Sequence, residues 1–146
     1  MRILVIDGQG GKIGAQLVKL IKSRFPSAEL TAVGTNALAT SAMLKAGAEN
    51  IATGENAVCV AVRRTDLIVG PIGIVIADAM LGEVTPKMAA AVAQSDVKRI
   101  LIPFSNCYNL VAGVSNFSIK YMLGCVADEI ETVLKGDGDC GGPVEV

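Results

Sequence analysis

Short apolar runs alternate with segments of helical spacing along most of the chain. Glycine or another turn residue follows each run, and a segment with helical spacing or a helix cap comes next. Strands that are apolar on both faces and alternate with helices are typical of a parallel sheet covered on both sides. We therefore predict an α/β fold, a three-layer, Rossmann-like, doubly wound and mostly parallel sheet of five or six strands. The runs are residues 3–6, 30–33, 50–52, 67–69 and 100–102.

The helices are predicted from apolar spacing and from residues that begin or end a helix. An apolar stripe starts at Ile13, and Pro26 ends that first helix. Thr85 followed by Pro86 is a cap and first-turn pair, which starts a helix that runs to about residue 94. Further helices are expected over residues 37–46 and 118–134, and a sixth, edge strand is expected over residues 109–114.

The segment 37–46 has almost no polar face. A helix that is apolar nearly all round must be covered on both sides, so later chain or another subunit packs over it. Composition supports the second choice, because 51% of residues are hydrophobic and the mean hydropathy is +0.52, more apolar than a lone domain of this size needs. We expect a homo-oligomer.

A chain of 146 residues has the length of one ordinary domain. We assign residues 1–135 to a single nucleotide-binding domain and residues 136–146, which are rich in glycine, to a loose tail. The first apolar run is too short for a signal peptide, and Pro71 and Asp78 interrupt the longest one. A cytoplasmic protein without a membrane partner is expected.

The charge balance and the lack of histidine exclude several classes of partner and catalytic site. Thirteen basic and fourteen acidic residues give a net charge of −1, so no basic face is available for nucleic acid. The chain has no histidine, which removes Ser-His and Cys-His nucleophile pairs and the zinc ligand sets that contain imidazole. The four cysteines form no C-x-x-C pair, so no metal site is expected.

The strongest motif is a glycine-rich loop between the first strand and the first helix. Its glycines read either as positions 8, 11 and 14 or as positions 8, 10 and 14. Glycine there permits a tight turn and close approach of a pyrophosphate, and the helix start favours an anion. A small phosphate-bearing ligand is predicted, with a purely structural turn as the alternative. The candidate residues are Gly8, Gln9, Gly10, Gly11, Lys12, Ile13 and Gly14.

The adenosine end of such a ligand is unassigned. Dinucleotide-binding sheets carry an acid after the second strand, which holds the ribose 2′-hydroxyl of NAD. Here Thr35 and Asn36 stand in that place. Lys12 is either a solvated surface residue or a partner for a 2′-phosphate or pyrophosphate, and on the second reading NADP is slightly favoured over NAD.

Other loops are expected to meet the glycine loop at the carboxyl edge of the sheet, where open parallel sheets bind ligands. Glycine, amide, hydroxyl and carboxylate groups follow the second, third and fourth strands. The segment Ser-Asn-Cys at residues 105–107 follows the fifth strand. Each loop also has a plain structural explanation, since asparagine caps helices and glycine ends strands. The further candidate ligand-binding residues are Thr35, Asn36, Glu55, Asn56 and Gly73.

Few residues are suited to catalysis, and no catalytic residue is assigned. Glu55 is a candidate acid or base, Asp7 is expected to tie down the glycine loop, and Cys107 is expected to be a half-buried thiol. Neither the Tyr-x-x-x-Lys pair of short-chain dehydrogenases nor a Walker A motif is present.

A binding or sensory module is therefore favoured as the function. One alternative is a small NAD(P)-dependent oxidoreductase or transferase with a site shared between subunits. The other is a scaffold whose glycine loop binds nothing.

Long segments resemble a small bacterial family known only as a domain of unknown function. They include IDGQGGKIG at residues 6–14, GTNALATSAMLKAGA at 34–48 and MLGEVTPKM at 80–88. The resemblance implies a compact Rossmann-like domain without an assigned substrate. The glycine loop is separately similar to that of dihydrodipicolinate reductase, but the second domain and the histidine of that enzyme are missing here, so reductase activity is not implied.

Overall fold

The computed structural model describes residues 1–103, 109–116 and 118–136 and contains a five-stranded parallel sheet. The strand order is β3-β2-β1-β4-β5. The strands are β1 (Arg2–Asp7), β2 (Glu29–Gly34), β3 (Asn50–Thr53), β4 (Leu67–Pro71) and β5 (Lys98–Ile102). The helices are α1 (Lys12–Arg24), α2 (Ala37–Lys45), α3 (Glu55–Val62), α4 (Pro86–Ala93) and α5 (Ile119–Leu134). The predicted α/β fold and its five strands are confirmed.

The apolar runs form strands because both faces of the sheet are covered. Along β1, Ile3 and Val5 belong to one buried cluster and Leu4 and Ile6 to another. The first cluster packs under α1, α2 and α5, and the second under α3 and α4. These are the three layers predicted from the strands without polar faces.

The order of the strands places a crevice between β1 and β4. Chain connections run outward in opposite directions from this pair, since β2 and β3 lie on one side and β5 on the other. In open α/β sheets, ligands bind outside the carboxyl ends of the strands at such a switch point. The glycine loop follows β1 directly, so it lies at this crevice.

Helix boundaries agree with the capping residues. The Asn36 side chain accepts a hydrogen bond from the Ala39 N–H at 2.8 Å, and Thr85 caps α4 in the same way at 3.1 Å. Ser118 caps α5. In the described ranges, none of the helices is both long enough and apolar enough to cross a membrane.

One prediction from sequence is corrected. The segment 109–114 is not a sixth strand: it has a turn at residues 112–113, Gly113 lies at φ +83°, Leu110 is 98% exposed, and no strand of the described residues pairs with it. Within the described part of the chain, helix α2 is covered on one side only, because Leu38 and Leu44 are 67% and 50% exposed, so another subunit remains the predicted cover for its outer side. The expected loose tail covers residues 136–146, of which 137–146 lie outside the described residues, as does the loop at 105–107.

Candidate functional site

The glycine loop makes a tight turn that connects β1 to α1. The Gly11 N–H donates to the Gly8 carbonyl at 2.9 Å, and Gly11 precedes α1 at φ +67°. Gln9 also has a positive φ, 49°. The turn brings the backbone of Gln9 and Gly10 to the exposed surface at the end of β1.

Three glycines of the loop differ in what a side chain at their position would meet. A Cβ at Gly11 would lie 2.7 Å from Cα of Ala39, and a Cβ at Gly14 would lie 2.6 Å from Sδ of Met43. These two positions therefore allow α1 to pack closely against α2. At Gly10 a Cβ would meet nothing within 4 Å, so packing does not explain this glycine.

Asp7 is buried beneath the loop, only 4% exposed. Its carboxylate accepts hydrogen bonds from the N–H groups of Gly8 at 2.8 Å and Gly14 at 2.6 Å. Burial raises the pKa of Asp7, and the backbone hydrogen bonds from Gly14, Gly8 and Ile13 oppose that rise. Asp7 thus ties the two ends of the loop together, and it occupies donors that a ligand would otherwise use.

A second carboxylate, that of Glu83, lies on top of the loop. Its Oε2 atom accepts hydrogen bonds from the Gln9 N–H at 2.7 Å, the Thr35 hydroxyl at 2.6 Å and the Asn36 amide at 2.8 Å. Partial burial pushes the pKa of Glu83 upward, but the bonds from Thr35, Gln9 and Asn36 outweigh it, so the pKa lies below the ordinary value. Glu83 is therefore ionised at neutral pH.

Glu83 belongs to residues 76–84, a segment we call the strap, which joins a short 3-10 helix (Ile72–Val75) to α4. The strap is connected to β4 through this 3-10 helix and reaches across the crevice to the end of β2. Its own backbone bonds hold it, including Asp78 N–H to Val84 at 2.8 Å and Val84 N–H to Ala79 at 3.2 Å. The residues at positive φ within it are Asp78, Met80, Leu81 and Gly82.

Thr35 and Asn36 lie where the sequence predicted, directly after β2. The Asn36 side chain caps α2 through its oxygen and donates through its nitrogen to Glu83 and to the Gln9 carbonyl at 3.0 Å. The helix cap is therefore observed, and the same side chain also holds Glu83 and the glycine loop together. Thr35, Asn36 and the glycine loop are brought together at Glu83.

Three other candidates lie on the β4 and α3 side of the crevice. Glu55 begins α3, accepts a hydrogen bond from the Thr85 hydroxyl at 2.6 Å and lies 3.7 Å from Nζ of Lys87. It ties α3 to α4. Gly73 is buried, and a Cβ there would lie 3.3 Å from Cε of Met80. Asn56 is exposed and makes no side-chain hydrogen bond within the described residues.

The remaining two candidates of the glycine loop point in different directions. Lys12 is the first residue of α1 and is exposed. Ile13 is partly buried and packs against the apolar cluster on the α1 face, so its side chain serves the core. Cys107, the candidate thiol, lies outside the described residues, and Cys59 and Cys125 are free thiols.

Two cavities lie away from this rim. One, of about 170 Å³, is bordered by the end of α1 and the starts of β2 and β3, and the other, of about 270 Å³, lies between β5 and α5. Among residues 1–103, 109–116 and 118–136, no three His, Cys, Asp or Glu side chains cluster so as to hold a metal ion.

Comparison with known proteins gives a family and a distant structure. The sequence model described as Domain of unknown function (DUF3842) matches residues 2–135. No curated protein matches the chain. Among solved structures, the chain is similar to a dodecameric FMN-dependent Ubix-like decarboxylase from Escherichia coli O157:H7, at 16% identity and a TM-score of 0.44 over 90% of this chain and 76% of that one. At this TM-score the likeness carries no conclusion about ligand, activity or assembly.

Proposed function

The chain belongs to the family described as Domain of unknown function (DUF3842), and we propose that it binds a nucleotide or dinucleotide at the glycine loop, as a binding or sensory module. The family match agrees with the resemblance noted in the sequence. The family name assigns no activity, so the proposal depends on the rim of the sheet and on the residues found there.

The observation that carries this proposal is the open backbone at Gly10. Gly11 and Gly14 are required by the contact between α1 and α2, whereas Gly10 faces space in which a Cβ would meet nothing within 4 Å. Glycine in an exposed position without a packing role weakens a loop unless something must approach its backbone closely. A phosphate at the start of a helix is such a group.

Hydrogen-bond donors remain for that phosphate after Asp7 has taken its share. Among the described residues, the N–H groups of Gly10 and Lys12 donate to no protein acceptor. Both groups lie at the positive end of α1, where an anion is stabilised. The Lys12 side chain starts from the same turn and is exposed, so it supplies a mobile positive charge for the phosphate.

The contacts of Glu55 favour binding over catalysis. A general acid or base must be within hydrogen-bond reach of its substrate. The Glu55 carboxylate already accepts from Thr85 and pairs with Lys87, contacts that join α3 to α4. The enzymatic alternative, an oxidoreductase or transferase with a site shared between subunits, therefore receives no support from this residue.

We also propose that the protein is a homo-oligomer that uses the outer face of α2. Leu38 and Leu44 are on this helix and are 67% and 50% exposed. Ile51 of the neighbouring edge strand β3 is 36% exposed. Contiguous exposed apolar side chains mark interaction surfaces, and we place these three side chains in the interface.

Thermal unfolding in the presence of nucleotides tests the proposal. The panel is NAD, NADP, their reduced forms, ATP, FAD and S-adenosylmethionine. At about 100 times Kd, a ligand selective for the native state adds roughly 2.7 kcal/mol, which raises Tm by a few degrees. A rise with a nucleotide supports the site; no rise with any member makes the loop a structural turn.

A pair of matched variants locates the binding. Gly10→Ala places a methyl group where a phosphate would approach, without meeting any protein atom within 4 Å. Gly124→Ala, on α5, also enters open space, but far along the chain from the glycine loop. We expect Gly10→Ala to lose the ligand-induced rise in Tm and Gly124→Ala to keep it. Equal rises in both variants would move the ligand elsewhere.

A further inference from the structure

The Glu83 carboxylate stands at the place where nucleotide-binding sheets hold a ribose. In such sheets an acid after the second strand accepts a hydrogen bond from the ribose 2′-hydroxyl. Here β2 ends at Gly34, and the next two residues, Thr35 and Asn36, both donate to Glu83. The acid missing from the end of β2 in the sequence is thus supplied in space by the strap, from the opposite side of the crevice.

The two oxygens of this carboxylate have different surroundings. Oε2 accepts all three protein hydrogen bonds, from Gln9, Thr35 and Asn36. Within the described part of the chain, Oε1 accepts none. One oxygen is therefore used to orient the group, and the other retains acceptor capacity for a hydroxyl donor. Glu83 as a residue is only half-buried, so solvent and ligand reach it.

The strap holds Glu83 in a fixed position. Backbone hydrogen bonds cross the strap from residue 78 to residue 84 and from residue 84 to residue 79. Asp78, Met80 and Leu81 are nevertheless kept at φ of 63°, 57° and 57°, in a region that side-chain-bearing residues rarely adopt. Strain of this kind persists where the surrounding structure enforces it, and it occurs often at ligand sites. The carboxylate is preorganised before a ligand arrives.

From these observations, and resting on the proposed nucleotide site, we infer that Glu83 accepts a hydrogen bond from the ribose 2′-hydroxyl of the ligand and so determines its specificity. The ligand class is a nucleotide with an unmodified ribose. A 2′-phosphate would place negative charge against the carboxylate, so NAD is preferred to NADP. This reverses the slight preference for NADP that Lys12 alone suggested.

A different role for Glu83 makes an opposite prediction. If its carboxylate stood in for the ligand phosphate and had to leave on binding, removing the charge would tighten the binding of every phosphate ligand. If Glu83 only held the loop in place, its replacement would weaken the binding of all ligands equally. A contact with the 2′-hydroxyl predicts neither uniform tightening nor uniform weakening. Replacing Glu83 would instead change the relative affinity of ligands that differ at the 2′ position.

The experiment measures dissociation constants by isothermal titration calorimetry for wild type, Glu83→Gln and Glu83→Ala. The ligands are ADP, GDP, CDP and UDP, each with its 2′-deoxy counterpart, and the pair NAD and NADP. Within each pair only the 2′ position changes. The control variant is Glu129→Gln, which changes an exposed carboxylate on α5. Circular dichroism and Tm establish that each variant is folded.

We expect the wild type to bind the ribonucleotide roughly 10-fold or more tightly than the deoxynucleotide, the effect of one hydrogen bond to a charged group. In Glu83→Gln and Glu83→Ala this ratio falls to within about threefold, and NADP gains relative to NAD. Glu129→Gln keeps the wild-type ratio.

Three results would overturn the inference. Uniform weakening of all ligands in the Glu83 variants would make the residue structural, and uniform tightening would make it an internal competitor. Discrimination that persists in both variants would place the 2′-hydroxyl elsewhere. In these cases the nucleotide site itself stands, because the wild type binds. If the wild type binds no nucleotide of the set, the proposed function and the role of Glu83 are both wrong.

Discussion

The Thr35 hydroxyl lies 2.6 Å from Oε2 of Glu83, although 48 positions separate the two residues in the chain. This hydrogen bond joins the end of β2 to the strap that leaves β4. It lies at the switch point of the sheet and holds a carboxylate over the glycine loop. In the proposed nucleotide site, this carboxylate takes the place of the ribose acid that is missing after β2.

Acid pH is expected to weaken the fold in part through Glu83. The pKa of Glu83 in the folded protein lies below its ordinary value of 4.5. A carboxyl with a lowered pKa adds stability that is complete above 4.5 and is lost as pH falls through the folded value. Denaturant unfolding between pH 6 and 3 is expected to show a shallower loss of stability in Glu83→Gln than in wild type. Identical slopes would contradict the hydrogen-bonded, ionised carboxylate.

Asp7→Asn is expected to destabilise the protein, even though it removes a buried charge. Asp7 accepts from two different N–H groups, those of Gly8 and Gly14. An asparagine amide has one oxygen, so its NH2 group would face one of these donors. Leaving a buried donor without a partner costs about 1–3 kcal/mol, measurable as a lower free energy of unfolding. Stability equal to or above that of wild type would show that desolvation of the charge dominates.

The glycines of the loop are expected to separate into packing and binding positions. Gly11→Ala adds a Cβ 2.7 Å from Cα of Ala39 at φ +67°, and we expect a loss of about 2–4 kcal/mol in the free energy of unfolding. Gly10→Ala is expected to leave stability within about 0.5 kcal/mol of wild type, because the site is open. Equal losses in both variants would refute the division.

Replacement of Leu38 by aspartate is expected to weaken self-association. Leu38 is 67% exposed on α2, and a charge there would be buried in an interface formed by this helix. Leu134→Asp on α5, where the side chain is 51% exposed, is the matched control. Light scattering after size exclusion is expected to show an oligomer for wild type and Leu134→Asp, and a smaller species for Leu38→Asp. A monomeric wild type would exclude the oligomer.

Most of the fold was predictable because its signals are local. Strands without a polar face indicated a covered parallel sheet, and the pair Thr85 and Pro86 marked the start of α4 correctly. The segment 109–114 was misread because Leu110 and Val111 have strand-like composition. Composition alone does not supply a neighbouring strand, and at 98% exposure Leu110 packs against nothing in the sheet.

The candidate site was predicted only in part, because its central contacts are tertiary. Thr35, Asn36 and the glycine loop follow strands, so their meeting at one edge was foreseeable. Glu83 lies 74 positions from Gln9, and no spacing rule connects the two. The signal that was available was the absence of an acid after β2, which left a place for a carboxylate from another element. The packing roles of Gly11 and Gly14 were hidden as well, since they depend on the path of α2.

Titration of the 15N-labelled protein with NAD and ADP, followed by amide chemical shifts, locates the bound nucleotide on the chain. If the nucleotide binds at the glycine loop, saturable shifts are expected to be largest at Gly10, Lys12 and Thr35, around the glycine loop and the end of β2. Shifts confined to Ile100, Met122 and their neighbours in the groove between β5 and α5 would contradict binding at the glycine loop, as would spectra unchanged by either nucleotide.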